Sequence, residues 1–259
     1  MDDSFINILV FYTFCGAAFF QLFYFLFFYL RLANYKPKEK KITQYPPVSV
    51  IICARNEDTN LKQHLPKILA QDYPAFEVIV VDDNSDDGTT EYLFFLSQKE
   101  PRLKRTKTGN SNRMMAGKKF PLTLGLKAAA NELVVLTDAD CYPATNQWLK
   151  QVVSGYATDD KAIVLGYGAY EKKPGRLNRR IRYETFLTAL NYLSFALAKL
   201  PYMGVGRNLS YQKGLFFSTN GFFDHRQIPS GDDDLFINKV ATKKNTEIVI
   251  SPDAFTYSP

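Results

Sequence analysis

Histidine is nearly missing from this chain of 259 residues: His64 and His225 are the only two, and they stand in unlike contexts. A histidine-based zinc centre therefore has no support, and with no Gly-x-Ser-x-Gly elbow present neither does Ser-His-Asp hydrolysis. Cysteine is almost as scarce. Cys15, Cys53 and Cys141 are odd in number and scattered, which argues against a disulfide framework and fits reduced cytoplasmic thiols. The Gly-x-Gly-x-x-Gly fingerprint of dinucleotide sites is absent too, and Met203-Gly204-Val205-Gly206-Arg207-Asn208 is a glycine-spaced turn without the matching helix start. Tryptophan occurs once, and Trp148 reads as a packing residue before it reads as a sugar platform. No internal repeat or low-complexity tract is found up to Tyr167, and 22% charged residues leave little room for long disorder.

Charge is missing altogether from Phe5 to Leu30, where Asn7 and Gln21 are the strongly polar residues. At about 1.5 Å per helical residue, such a run can cross a hydrocarbon core of roughly 30 Å. A cleaved signal peptide would want a basic start and a shorter apolar stretch, whereas this chain starts with Asp2 and Asp3. Residues 1–33 are therefore expected to be a retained transmembrane anchor. Arg31, Lys36, Lys38, Lys40 and Lys41 follow it, which places the amino terminus outside and the remainder in the cytoplasm. Residues 34–47, rich in Lys and Pro and ending in Pro46-Pro47, form a basic linker. The formal net charge of +6 comes partly from this flank and partly from Arg176, Arg179, Arg180 and Arg182. Anionic headgroups attract such residues at about 1 kcal/mol each, so the excess needs no nucleic-acid partner.

From Val48 the pattern is strand, helix, strand, helix. Val48 to Cys53 is a short apolar run, and Leu61, Leu65, Ile68 and Leu69 recur at helical spacing until Gln71-Asp72-Tyr73-Pro74. Phe76 to Val81 is a second strand, Thr89 to Gln98 a helix, and Lys104 to Asn112 a polar, irregular stretch. Gly117-Lys118-Lys119 opens a helix that leads into the strand Leu133 to Thr137. Trp148 to Tyr156 reads as a helix, Ala162 to Tyr167 as a strand and Glu247 to Ile250 as a last strand. Between them, Arg176 to Leu200 is a long aromatic amphipathic helix that suits either a core-facing position or the membrane surface. This alternation predicts an α/β domain with a mostly parallel sheet.

Two of the predicted strands run directly into carboxylates. Phe76 to Val81 leads to Asp82-Asp83-Asn84-Ser85-Asp86-Asp87-Gly88, and Leu133 to Thr137 leads to Asp138-Ala139-Asp140. Residues two apart on a strand point to one side, so Asp138 and Asp140 could converge on a hard divalent cation such as Mg²⁺ or Mn²⁺. In open α/β sheets ligands bind at the carboxyl ends of the strands, where both clusters lie. A third cluster, Ser230-Gly231-Asp232-Asp233-Asp234-Leu235, precedes a short helix. The helix dipole accounts for Asp234, but three adjacent like charges raise one another's pKa unless a cation or solvent relieves them.

Pro47 to Ile52 with Ala54-Arg55-Asn56-Glu57, then Val81-Asp82-Asp83-Asn84-Ser85, then Asp138-Ala139-Asp140, resemble the family 2 glycosyltransferases of GT-A fold in order and spacing. The resemblance runs from about Val48 to Leu235. It implies a GT-A, Rossmann-like nucleotide-diphospho-sugar transferase domain over residues 48–259, preceded by the single transmembrane helix. The activity implied is inverting transfer from a nucleotide-diphosphate sugar, most commonly a UDP-sugar, to a glycan or lipid-linked acceptor in cell-surface polysaccharide or glycolipid synthesis. Ala54, Arg55, Asn56, Glu57, Asp82 and Asp83 are placed to accept hydrogen bonds from base and ribose, with Asp83 the likelier base contact by resemblance. Asp140 would hold the metal, Asp138 would serve ribose or metal, and Lys118 could add a cation near the diphosphate. Aligning on Asp234-Leu235 puts Asp232 at the position of the general base, although Gly231 stands where relatives carry Glu and Asp233 is a second candidate.

Two other functions compete. A sugar-nucleotide-forming nucleotidyltransferase also uses an α/β sheet with metal-binding aspartates, but its glycine-rich loop is missing, since Ala54 to Glu57 contains no glycine. A non-catalytic, membrane-tethered binding module is the other alternative. Processive family members carry Gln-x-x-Arg-Trp and further membrane helices, and with neither present the chain is expected to be truncated at Pro259.

Overall fold

The computed structural model of the protein describes residues 3–37, 42, 44–109, 115–158 and 160–259. Lys38, Lys40 and Lys41 of the expected basic flank lie outside the described residues, as do Asp2 and Asn110 to Asn112. The chain begins with α1 (Asp3–Tyr24), a π-helical turn over Phe25–Tyr29 and α2 (Leu30–Ala33). Over Ser4–Ala33 this is one continuous apolar helix, long enough to cross a membrane, whose most apolar stretch is left uncovered by the rest of the protein.

The domain proper starts at β1 (Val48–Ala54), followed by α3 (Asp58–Leu69), β2 (Phe76–Asp82), α4 (Thr89–Lys99) and β3 (Leu103–Lys107). Next come α5 (Lys119–Ala128), β4 (Leu133–Asp138), the short β5 (Tyr142–Pro143), α6 (Trp148–Val153), β6 (Ile163–Leu165) and β7 (Gly168–Tyr170). Then follow α7 (Arg176–Leu197), β8 (Leu209–Gln212), α8 (Lys213–Ser218), α9 (Asp234–Val240), β9 (Thr246–Ile248) and β10 (Thr256–Ser258). The main sheet has the order β3-β2-β1-β4-β8-β6-β9, and among the described residues its antiparallel pairings are those of β8 with β4 and β6. A smaller sheet, β5-β10-β7, sits beside it.

β1, β2 and β4 are buried on both faces, which is why Val and Ile run through them without alternation. One apolar cluster packs under α3 and α6; another lies on the other face under α5, α7 and α9. Trp148 belongs to the first, fully buried, with its indole N–H donated to Asn208 Oδ1 at 3.1 Å. His64 is also buried in α3, stacked on Tyr142 at 5.0 Å, where burial and the Lys67 charge pull its pKa down. With 2% and 0% of their surfaces exposed, neither His64 nor Trp148 presents a face to a ligand.

The irregular stretch expected from Lys104 departs most from the reading of the sequence. It begins as β3, a parallel edge strand paired with β2 from Val78↔Leu103 to Asp82↔Lys107. Its Leu-Lys-Arg-Thr-Lys sequence is mostly exposed, and charge on an edge strand suppresses pairing with other chains. α7 faces the core along one side, where Ala189, Tyr192 and Leu193 are buried, while Leu177, Tyr183 and Phe186 are exposed.

Candidate active site

β1 connects to β2 on one side and pairs with β4 on the other, so the strand order reverses at β1 and opens a crevice at its carboxyl end. A cleft of about 490 Å³ fills this position, lined by Cys53, Ala54, Arg55, Glu57, Asp83, Lys118, Asp138 and Asp140 among others. Cys53 pairs in register with Asp138, and Ala54 with Asp82, so the two acidic strand ends flank the end of β1.

The electrostatics at Cys53 show which charges converge there. Burial is the largest effect pushing its thiol up to about 12; Lys118 opposes, and Asp138, Asp232 and Asp83 add to the rise. All three acidic clusters therefore lie within electrostatic reach of one strand end. Asp83 is buried, its backbone N–H donating to Ala54 O at 2.7 Å and its Oδ1 accepting from Thr108 Oγ1 at 2.8 Å. Glu57 lines the cleft with its pKa raised by burial, a hydrogen bond from Asn60 opposing and the Asp140 and Asp138 charges adding.

Asp138 and Asp140 do face a common point. One ligand atom each from Asp138, Asp140 and Cys141 lie within 4.8 Å of one another. Burial holds the Cys141 thiol above its ordinary pKa, leaving two carboxylates as the hard donors, a set suited to Mg²⁺ or Mn²⁺. Asp140 is oriented by Ser258, whose hydroxyl donates to Oδ2 at 2.9 Å, and Lys118 Nζ forms an ion pair with Asp138 Oδ1. Burial is the largest effect on Lys118 and works to lower its pKa, but the charge and hydrogen bond of Asp138 with the contributions of Cys53 and Asp232 together outweigh it, and the pKa lies above the ordinary value.

Two of the residues expected at the nucleotide stand apart from the cleft lining. Asp82 is buried with Oδ1 accepting from Ser85 N at 2.9 Å and Oδ2 from Thr90 Oγ1, so both oxygens organise the loop after β2. Burial raises its pKa and these hydrogen bonds more than offset that, leaving it below the ordinary value. Asn56, at φ 57°, ties the two loops together: its N–H donates to Ser85 Oγ and its Oδ1 accepts from Asp86 N.

The third cluster approaches from the segment before α9. Lys119 is fully buried in α5, and its ammonium donates to Ile228 O at 2.7 Å and to Ser230 O. Gly117, at φ +61°, lets this segment close in, since a Cβ there would lie 2.0 Å from Pro229 O. Gly231 turns the chain at φ +85°, a conformation that suits glycine where relatives by resemblance have Glu. Asp233 then accepts from the Gly206 N–H through Oδ2 at 2.6 Å and from the Asp234 N–H through Oδ1 at 2.8 Å, capping α9. Asp232, half-buried, has its charge felt at both Lys118 and Cys53.

Lys119 and Ser258 were not singled out by the sequence. Nothing local marks Ser258, because its partner is 118 positions away. Lys119 sits in a pattern that reads equally as a solvated helix start.

A mostly parallel sheet with an acidic crevice at its switch point defines a GT-A-like α/β transferase domain. The chain matches the glycosyl transferase family 2 model over residues 49–223 and belongs to that family. Among curated relatives, the probable glycosyltransferase YdaM of Bacillus subtilis is 27% identical over 208 residues, 76% of this chain and 48% of that protein. The 4,4'-diaponeurosporenoate glycosyltransferase of Staphylococcus haemolyticus is 32% identical over 122 residues, 47% of this chain and 31% of that protein. The chain thus spans less than half the length of either. Among solved structures, the mannosyltransferase PcManGT of Pyrobaculum calidifontis, in complex with GDP-Man and Mn²⁺, superposes with a TM-score of 0.67 at 26% identity, covering 90% of this chain and 64% of that one.

Proposed function

We propose that the protein is an inverting, metal-dependent glycosyltransferase that moves a sugar from a nucleotide-diphosphate donor to a glycan or lipid-linked acceptor at the membrane. The observation that carries this reading is the crevice at the end of β1, where Asp83, Asp138 and Asp140 line one cleft; the charge of Asp232 acts on the same strand end. PcManGT, solved with GDP-Man and Mn²⁺, supports a nucleotide-sugar donor and a divalent cation.

In this reading Asp83 accepts a hydrogen bond from the base, with the Ala54-Arg55 backbone and Glu57 beside it. Asp140, oriented by Ser258, and Asp138 would hold Mg²⁺ or Mn²⁺, which when bound supplies positive charge against the diphosphate leaving group. Lys118 adds a second cation on the same wall. Asp232 takes the proton from the acceptor hydroxyl as that oxygen forms its bond to the anomeric carbon. The bond from that carbon to the diphosphate oxygen breaks on the opposite side, so the configuration inverts and a nucleoside diphosphate leaves. Asp233, with both oxygens engaged, positions the loop rather than the proton. The helix Ser4–Ala33 tethers the domain to a membrane, with Arg31 and Lys36 on the cytoplasmic side.

Calorimetric titration with UDP and GDP, in Mn²⁺ and then in chelator, tests the site. Metal-dependent binding of at least one nucleotide with turnover of a matching sugar is expected. Binding without turnover would favour a non-catalytic module, and binding indifferent to metal would remove Asp140 from its role.

A further inference from the structure

The second face of the domain carries an apolar groove of 250 Å³ between the end of the N-terminal helix and α7, lined by Leu32, Tyr167, Phe186, Leu190, Leu193 and Phe255 among others. Its place relative to a bilayer is fixed by how α7 is fastened. Asn191 Oδ1 accepts from the hydroxyls of both Tyr24 and Tyr29, at 2.7 and 2.8 Å, and Phe195 stacks on Phe28 at 4.2 Å. With Ser4–Ala33 spanning the membrane, this junction and the groove beside Leu32 lie at the level where the helix leaves the lipid. The exposed surface of α7 suits that depth. Its first turns carry Arg176, Arg179 and Arg180, all exposed, and the following turns carry exposed Tyr183 and Phe186.

The groove is joined to the active site through β10. Tyr167 and Phe255 form its floor, packed edge to face at 5.1 Å. Phe255 runs directly into β10, where Ser258 donates to Asp140. Three residues of extended chain span about 10 Å, roughly the size of a polar headgroup or one sugar ring. A lipid chain seated against Phe255 would thus lie about one headgroup's length from Asp140 along β10.

We infer that this groove seats the hydrocarbon chain of a lipid acceptor, which reaches the site sideways from the bilayer. The inference rests on the proposed transferase reading and the anchoring of Ser4–Ala33, and it narrows the acceptor to the lipid class.

The test uses the full chain in phosphatidylcholine vesicles containing phosphatidylglycerol and a diacylglycerol with a mid-chain diazirine, irradiated and mapped by mass spectrometry. Adducts are expected on α7 around Leu190 and Leu193 and on the peptide holding Phe255, as well as along the N-terminal helix. Leu190→Trp, which fills the groove, should lower the groove adducts severalfold and leave those on the N-terminal helix unchanged. Phe186→Asp, at a position 52% exposed where the fold is not at stake, should do the same. Label confined to the N-terminal helix, or groove adducts indifferent to both substitutions, would overturn the inference. Release of nucleoside diphosphate from nucleotide sugars by the same vesicles separates the two readings. Release without groove adducts sinks the groove alone, whereas groove adducts without release sink the transferase reading and reduce the groove to a lipid contact.

Discussion

Asp232 and Asp233 are neighbours with different surroundings, and their substitution should separate chemistry from stability. Asp232→Asn is expected to lower transfer by about 10²- to 10⁴-fold, the usual contribution of a general base, with nucleotide affinity retained. Retained transfer would move the assignment to Asp233. Asp233→Ala removes the cap of α9 and the acceptor for Gly206 N–H, so it should cost about 1–2 kcal/mol in urea unfolding. Glu77 is a second informative carboxylate, at the opposite end of the strands. Burial raises its pKa, but hydrogen bonds from Lys104, Ser49 and Ala130 N–H outweigh burial and hold it below the ordinary 4.5. A depressed native pKa means that Glu77 contributes stability above about pH 4.5 that is lost as pH falls through the native value. Urea midpoints from about pH 6 to about pH 3 should therefore fall less steeply for Glu77→Gln than for the unmodified protein. At this scale the sequence made it legible that Asp83, Asp138 and Asp140 would line one crevice, because strand ends followed by carboxylates leave a local signature. Resemblance favoured Asp83 over Asp82, and the fold supplies a physical reason: Asp82 spends both oxygens on Ser85 and Thr90.

The buried strands β1, β2 and β4 and the helices between them could be read from apolar periodicity because each is buried over its length or along one stripe. β3 could not, since an edge strand of Lys and Arg carries no apolar alternation. β10 was equally hidden: three residues, no periodicity, and partners in β5 and β7 more than eighty positions earlier. That small sheet nevertheless delivers Ser258 to Asp140, so the orientation of Asp140 depends on an element with almost no sequence signature. The junction of α5 with the segment before α9 makes a similar point. Gly117→Ala would force a Cβ to 2.0 Å from Pro229 O at a φ of +61°, and a strained site of this kind costs about 1–3 kcal/mol. Thermal unfolding should register that loss, and transfer should fall beyond it because the Asp232 loop is displaced from Lys118.

At the scale of the whole molecule, the chain couples an apolar helix to a domain whose active crevice lies at the switch point of its sheet. Removing residues 1–33 should shift the protein from the membrane pellet to the supernatant on flotation, because the remaining exposed apolar residues of α7 are too few to hold it without the helix. The central claim is that Asp140 and its neighbours form a nucleotide-sugar site with a divalent cation. Its most direct test is release of nucleoside diphosphate from a panel of UDP- and GDP-sugars in Mn²⁺, comparing the unmodified chain with Asp140→Asn in matched vesicles. The account predicts release from at least one donor, abolished by chelator and reduced by about two orders of magnitude or more in Asp140→Asn. Equal release by both proteins, or release undisturbed by chelator, would contradict it.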